Sequence, residues 1–201
     1  MKRSTKIVIF LTFVLLLVGG GAVAASDGTS GWESWWPKRR LTVEVAENGT
    51  RFLPDAEPVD ADGMPLYGTE FITQGYLYPE GTLTCDSENN CNGVNPDGSP
   101  EFPDQVIGAW FCRGWHVNDA ATTTAGPIVI TTQTYIFSDD PTAQNLVTDG
   151  FEFADFNHVF ERSITGGTGS YGKARGVQKQ ELLGWNPSVG TALRVTFELQ
   201  R

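Results

Sequence analysis

The chain has 201 residues, 40% of them hydrophobic and 19% charged, with a formal net charge of −10. That length suits one domain or a small pair, and a surface this acidic repels phosphate backbones, which argues against nucleic acid as a partner. The first segment reads as an export signal. Lys2, Arg3 and Lys6 form a basic start, Ile7 to Val18 is almost continuously apolar, and Gly19 to Gly21 ends it. Ala22-Val23-Ala24 then places small residues two apart, so residues 1–24 are expected to be a signal peptide cleaved after Ala24 and the protein to be secreted. The rival reading is an uncleaved anchor, since Ile7 to Ala25 is nearly long enough to span a bilayer; the glycines and the small-residue exit favour cleavage. No second apolar run of spanning length follows, so the mature domain is expected to be soluble and free of the membrane.

Residues 25–39 form a polar lead-in carrying Trp32, Trp35 and Trp36, read as a Trp-rich linker, and residues 40–201 form the domain proper. No window shows a 3.6-residue apolar period; strands are read from alternation and from β-branched and aromatic content. The first contains Leu41, Val43 and Val45, alternating with Thr42, Glu44 and Ala46. Asn48-Gly49-Thr50 behind it matches the N-glycosylation pattern. Strands follow at Phe71 to Tyr78, Val106 to Val117, Ile128 to Phe137, Asn145 to Phe153, Val159 to Thr165 and Ala174 to Leu183. The last places Leu193, Val195, Phe197 and Leu199 in strict alternation. Turn residues punctuate the links, as in Asn95-Pro96-Asp97-Gly98 and Asp139-Asp140-Pro141. About eight antiparallel strands with short links imply an all-β barrel or sandwich, and an eight-stranded barrel is just wide enough for one small ligand.

Residues 79–105 are the longest irregular stretch and hold Cys85 and Cys91; Cys112 lies on the third strand. Export predicts one disulfide and one leftover thiol. Spacing does not fix the pairing. Cys85 and Cys91 could close a short loop, or either could pin the loop to Cys112; the bridge to Cys112 is preferred, which makes residues 79–105 an ordered lid or rim.

Several motifs fail on inspection. Gly167-Thr168-Gly169-Ser170-Tyr171-Gly172 satisfies G-x-G-x-x-G, but an extended segment follows it where phosphate binding needs a helix N-terminus. Its plain reading is a hairpin with glycines at positive φ. Two histidines, His116 and His158, cannot build a zinc site alone. Asp60-Ala61-Asp62-Gly63 lacks the first and twelfth ligands of a calcium loop. No G-x-S-x-G is present. No cofactor and no metal are expected.

The run Arg162-Ser163-Ile164-Thr165-Gly166-Gly167-Thr168-Gly169-Ser170-Tyr171-Gly172-Lys173-Ala174-Arg175-Gly176 is more informative. It resembles the I-T-G-G-T-G-x-F/Y-x-x-A-x-G hairpin shared by plant allene oxide cyclases and dirigent proteins. The likeness extends over roughly residues 126–200 and is thin before them. It implies an eight-stranded antiparallel β-barrel, commonly a homotrimer, around an apolar cavity. Allene oxide cyclases close an unstable fatty-acid epoxide without a cofactor, and dirigent proteins hold radical phenolics while they couple. In both, a greasy pocket folds the substrate and excludes water. The resemblance carries the cyclases' first-strand Glu onto Glu44, although Ala46 stands where the family has Asn, and their barrel Cys onto Cys112. The plainer readings make Glu44 a solvated strand residue and Cys112 a structural one. Arg113, His116 and Tyr135 are the polar strand residues taken as candidate cavity lining.

The sequence thus implies a secreted barrel for a small hydrophobic molecule. If it is an enzyme, a cofactor-free isomerase or cyclase is expected. A non-catalytic dirigent-like scaffold or carrier, and a packed structural protein, are the alternatives.

Overall fold

The structure is a computed structural model that describes residues 39–54, 58–61, 63–117 and 126–200. The expected signal peptide lies outside the described residues, as does the Trp-rich linker apart from Arg39. Eight strands appear in chain order: β1 (Arg39–Glu47), β2 (Glu70–Pro79), β3 (Gly108–His116), β4 (Ile128–Ile136), β5 (Asn145–Phe153), β6 (Val159–Gly167), β7 (Arg175–Trp185) and β8 (Thr191–Gln200). Each pairs antiparallel with the next. β8 returns to β1, with Val43 opposite Val195 and Val45 opposite Leu193, so the sheet is a closed barrel rather than a sandwich.

The two-residue side-chain period sorts each strand into an inner and an outer face. Val43, Val45, Leu77, Trp110, Tyr135, Leu146, Ile164, Leu193, Val195 and Phe197 point inward and form the main core. One end of the interior is filled. There Tyr171, Ala174 and Leu199 pack with Leu146 and Phe137, and the Tyr171 ring lies 5.5 Å from that of Phe137. The glycine-rich run supplies this plug. β6 ends at Gly167, Gly169 turns with φ 57°, and the short 3₁₀ turn Gly169–Tyr171 drops Tyr171 into the barrel. A non-glycine residue at such a φ is strained.

Residues 79–105 are ordered, but they do not cover the barrel mouth. They wrap the outer face, where Leu83, Cys91 and Val94 pack on Ala46, Tyr78 and Ala192 in a second apolar cluster. The loop also borrows sheet hydrogen bonds: Cys91 N–H donates to Trp185 O at 2.8 Å and Trp185 N–H to Asn89 O at 2.9 Å. Gly184 permits this approach, since a Cβ there would lie 2.0 Å from Asn89 O. The Asn48 side chain is buried and donates to Gly98 O at 2.7 Å, so in the folded protein the amide of Asn48-Gly49-Thr50 is committed to this loop.

The disulfide joins Cys85 to Cys91, and Cys112 is free and buried. The preferred bridge to Cys112 is therefore corrected. Cys112 is an inward residue of β3, whereas the loop cysteines lie outside the sheet, so the barrel wall separates them. Replacing both Cys85 and Cys91 with Ser should lower stability by about 2 kcal/mol, the loop-closure value for so short a ring, measured by urea unfolding. In the same protein, a maleimide should label Cys112 far more slowly before unfolding than after it, because the thiol is buried and its pKa is raised.

Candidate functional site

The end of the barrel opposite Tyr171 is hollow. A cavity of about 530 Å³ opens among the last residues of β1, β3, β5 and β7 and the first of β2, β4, β6 and β8. Its walls are apolar and largely aromatic. Phe52 stacks on Phe71 at 5.4 Å, Phe71 lies 5.3 Å from the His116 ring, and Phe153 meets Phe160 edge-on at 5.5 Å. Leu182, Trp185 and Leu193 complete the wall. A volume of this size, mostly apolar with a few polar groups, is typical of small-ligand sites.

The floor is polar. Glu47, Thr73, Cys112, Glu152 and Gln180 reach it, each by being inward on its strand. Glu152 is held from several sides. Arg162 Nη1 lies 3.2 Å from Glu152 Oε1, Gln180 Nε2 donates to Oε2 at 2.8 Å, and the Thr131 hydroxyl and the Cys112 thiol also donate to Oε1. Arg162 is itself buried, and its Nη1 and Nη2 also donate to backbone carbonyls, among them Gly150 O at 3.2 Å and Thr131 O at 3.0 Å. Gln178 bridges Gln133, at 3.2 Å, and Gln180, at 2.8 Å, extending the polar layer beneath the floor.

Glu47 differs in having no Lys or Arg paired with it among the described residues. Its Oε2 accepts from Thr191 N–H at 2.8 Å and from the Thr191 hydroxyl at 2.7 Å. Burial raises its pKa above the usual carboxylate range despite these bonds, and the Glu152 charge adds to the shift. Burial likewise pushes the Cys112 thiol well up, with Glu152 adding to it. Cys112 is therefore a protonated hydrogen-bond donor at neutral pH rather than a nucleophile.

The sequence-derived candidates separate. Cys112 and His116 line the cavity. Glu44 does not: it is fully buried, but on the outer face, where Leu83 N–H donates to its Oε2 at 2.7 Å and Arg194 lies 3.2 Å from its Oε1. It is neither solvated nor in the cavity, and the wall of β1 keeps it apart from Cys112. Arg113 is exposed on the outer face of β3, one residue out of phase with Cys112. Tyr135 points inward but lies beneath the floor, with its hydroxyl on Gln133 and its ring 4.8 Å from Phe197. The residues that sequence reasoning passed over are Glu47, Glu152, Arg162 and Gln180. The signal was available: Glu47 shares the parity of Val43 and Val45, and Gln180 that of Leu182.

No protein-family model matches the chain, and no curated protein matches it. Among solved structures, the chain is similar to a pyocyanin demethylase, with a TM-score of 0.51 and 14% identity over 80% of this chain and 99% of that one. It is similar also to the pterocarpan synthase dirigent protein PsPTS1 (TM-score 0.55, 15% identity, 82% and 96% covered). The pterocarpan synthase dirigent protein GePTS1 is a further neighbour (0.52, 16%, 83% and 90%). At such identity the likeness shows the fold: a dirigent-like barrel.

Two outcomes are expected from the floor. Arg162→Met leaves the partly buried Glu152 without its cation and should cost about 2–3 kcal/mol, below the range for a fully buried pair, with part recovered by adding Glu152→Gln; chemical denaturation measures both. A carboxyl whose pKa is raised on folding supports the fold below its unfolded value, 4.5 here, and loses that support as pH climbs through the folded value. Glu47→Gln removes this dependence and keeps an acceptor for Thr191. The wild-type melting temperature should therefore fall relative to that of Glu47→Gln as pH rises above 4.5, as read by thermal circular dichroism.

Proposed function

We propose that this chain is a secreted β-barrel that binds a small hydrophobic molecule in the hollow half of its interior. The observation that carries the reading is the cavity of about 530 Å³ with aromatic walls above a polar floor. A protein kept only for structure would fill that space, because a void forfeits dispersion contacts. The export signal supports secretion, and the acidic composition keeps the protein away from nucleic acid.

The floor favours a catalytic form of the same reading, a cofactor-free isomerase or cyclase. Glu47 and Glu152 can stabilise positive charge that develops on an apolar substrate, as a carboxylate would beside an opening epoxide, in a site shielded from water. Cys112 would donate a hydrogen bond there. Without turnover, the same pocket makes a dirigent-like scaffold or carrier. For assembly we propose a homotrimer, using the outward apolar row in which Trp115 lies opposite Ile130 and Ile130 opposite Phe151.

Native mass spectrometry of protein purified from its own culture medium should show a mature chain starting at Ala25, three subunits and a retained small molecule. Leu182→Trp projects extra bulk into the cavity. It should weaken binding of the neutral dye N-phenyl-1-naphthylamine at least about tenfold, or 1.4 kcal/mol, without altering the circular dichroism spectrum. Undiminished dye binding would place the site elsewhere. For the cyclase form, an unstable epoxide should give a product with chiral excess; a racemic product matching the protein-free control would rule it out for that substrate.

A further inference from the structure

The charges around the cavity do not balance. Glu47 and Glu152 are its two carboxyl groups, and no Lys or Arg is among the described residues that line it. Arg162 lies behind the floor and is engaged with Glu152. Glu47 forms no ion pair among the described residues; Thr191 is its partner. A ligand carboxylate or phosphate pushed to this floor would meet two acids and no lysine or arginine among the described lining residues. The walls add a second preference. Phe52, Phe71, Trp110, Phe153, Phe160 and Trp185 surround the space, and ring faces attract organic cations, most strongly where water is excluded. The net charge of −10 draws cations toward the molecule.

We infer that the cavity takes a lipophilic organic cation, its ammonium group set against Glu47 and its apolar body between the aromatic walls. This rests on the reading of the cavity as a ligand site and names the ligand's chemical class. Binding has a proton balance. Burial raises the Glu47 pKa in the empty cavity, so below that raised value the side chain carries its proton. A cation beside it favours the carboxylate, so the Glu47 proton leaves to solvent as the ligand enters, and the cavity's net charge is unchanged. Affinity for the cation therefore rises with pH until Glu47 ionises in the free protein. The groups facing Glu47 are Thr191 on β8, Thr73 on β2, Glu152 with its partner Arg162, and Cys112 and His116 on β3. Glu47→Gln isolates the Glu47 contribution, because it removes proton release and leaves the other facing groups in place.

The test is isothermal titration calorimetry of the full chain with decyltrimethylammonium, 1-decanol and decanoate, each below its micellar concentration. Repeating it in buffers of different ionisation heat counts protons. The cation should bind at least about tenfold more tightly than decanoate, a difference of 1.4 kcal/mol, with the alcohol between them. Cation binding should release up to one proton below the pH at which Glu47 ionises. Glu47→Gln, checked for folding by circular dichroism, should abolish the release and remove most of the preference. Decanoate binding as tightly as the cation, or a preference unchanged in Glu47→Gln, overturns the inference while leaving the cavity a ligand site. Failure of all three probes to bind overturns both.

Discussion

The pairing of β8 with β1 constrains everything else in this molecule. Once the sheet closes, each strand has one face turned to a space about two side chains across, and the residues there must either fill it or leave it hollow. This chain does both. Leucine, valine and phenylalanine fill the half sealed by Tyr171, and in the other half aromatic walls stand around an open space above a polar floor. The Arg162–Glu152 pair and the glutamines around it mark the border. That border is not there for stability. Gln133 Nε2, Gln178 Oε1 and Arg162 Nε have no hydrogen-bond partner among the described residues, and each such buried group costs about 1–3 kcal/mol. Apolar side chains of similar size would avoid the cost, so the polar layer is a feature that stability alone would not select.

Most of the barrel was legible because its signal is local. Alternation in Leu193, Val195, Phe197 and Leu199 specifies a strand with one buried face, and turn residues mark where each strand stops. Barrel or sandwich was not local: it depends on whether the first strand meets the last, which only the long-range register decides. The glycine-rich run did carry that information, through resemblance rather than through any contact a sequence reader could see.

The site was less legible, and the reason is parity. Carrying a family's first-strand Glu onto Glu44 relied on neighbouring letters, yet Glu44 and Glu47 are three residues apart and must face opposite sides. Glu44 was also expected to meet solvent or substrate, and it meets neither, because the disulfide-closed loop lies over it and Leu83 caps its carboxylate. A loop that folds back on the outer wall leaves no periodic trace. The preferred bridge to Cys112 failed for the same reason: spacing along the chain does not report which side of the wall each cysteine occupies. Arg113 fell out by one residue of phase, and Tyr135 by depth along the barrel, which alternation does not report.

The Tyr171 plug makes the interior a blind vessel. Whatever enters past Phe52 and Trp185 must back out along the route it came, and nothing can pass through from end to end. Two molecules would have to queue, so a fresh guest waits until its predecessor has gone. Any transformation inside would also be limited by whether the altered molecule still fits the opening it used on arrival. Widening the rim and unplugging the base are therefore distinct engineering choices, the first changing dwell time and the second turning a cup into a pipe.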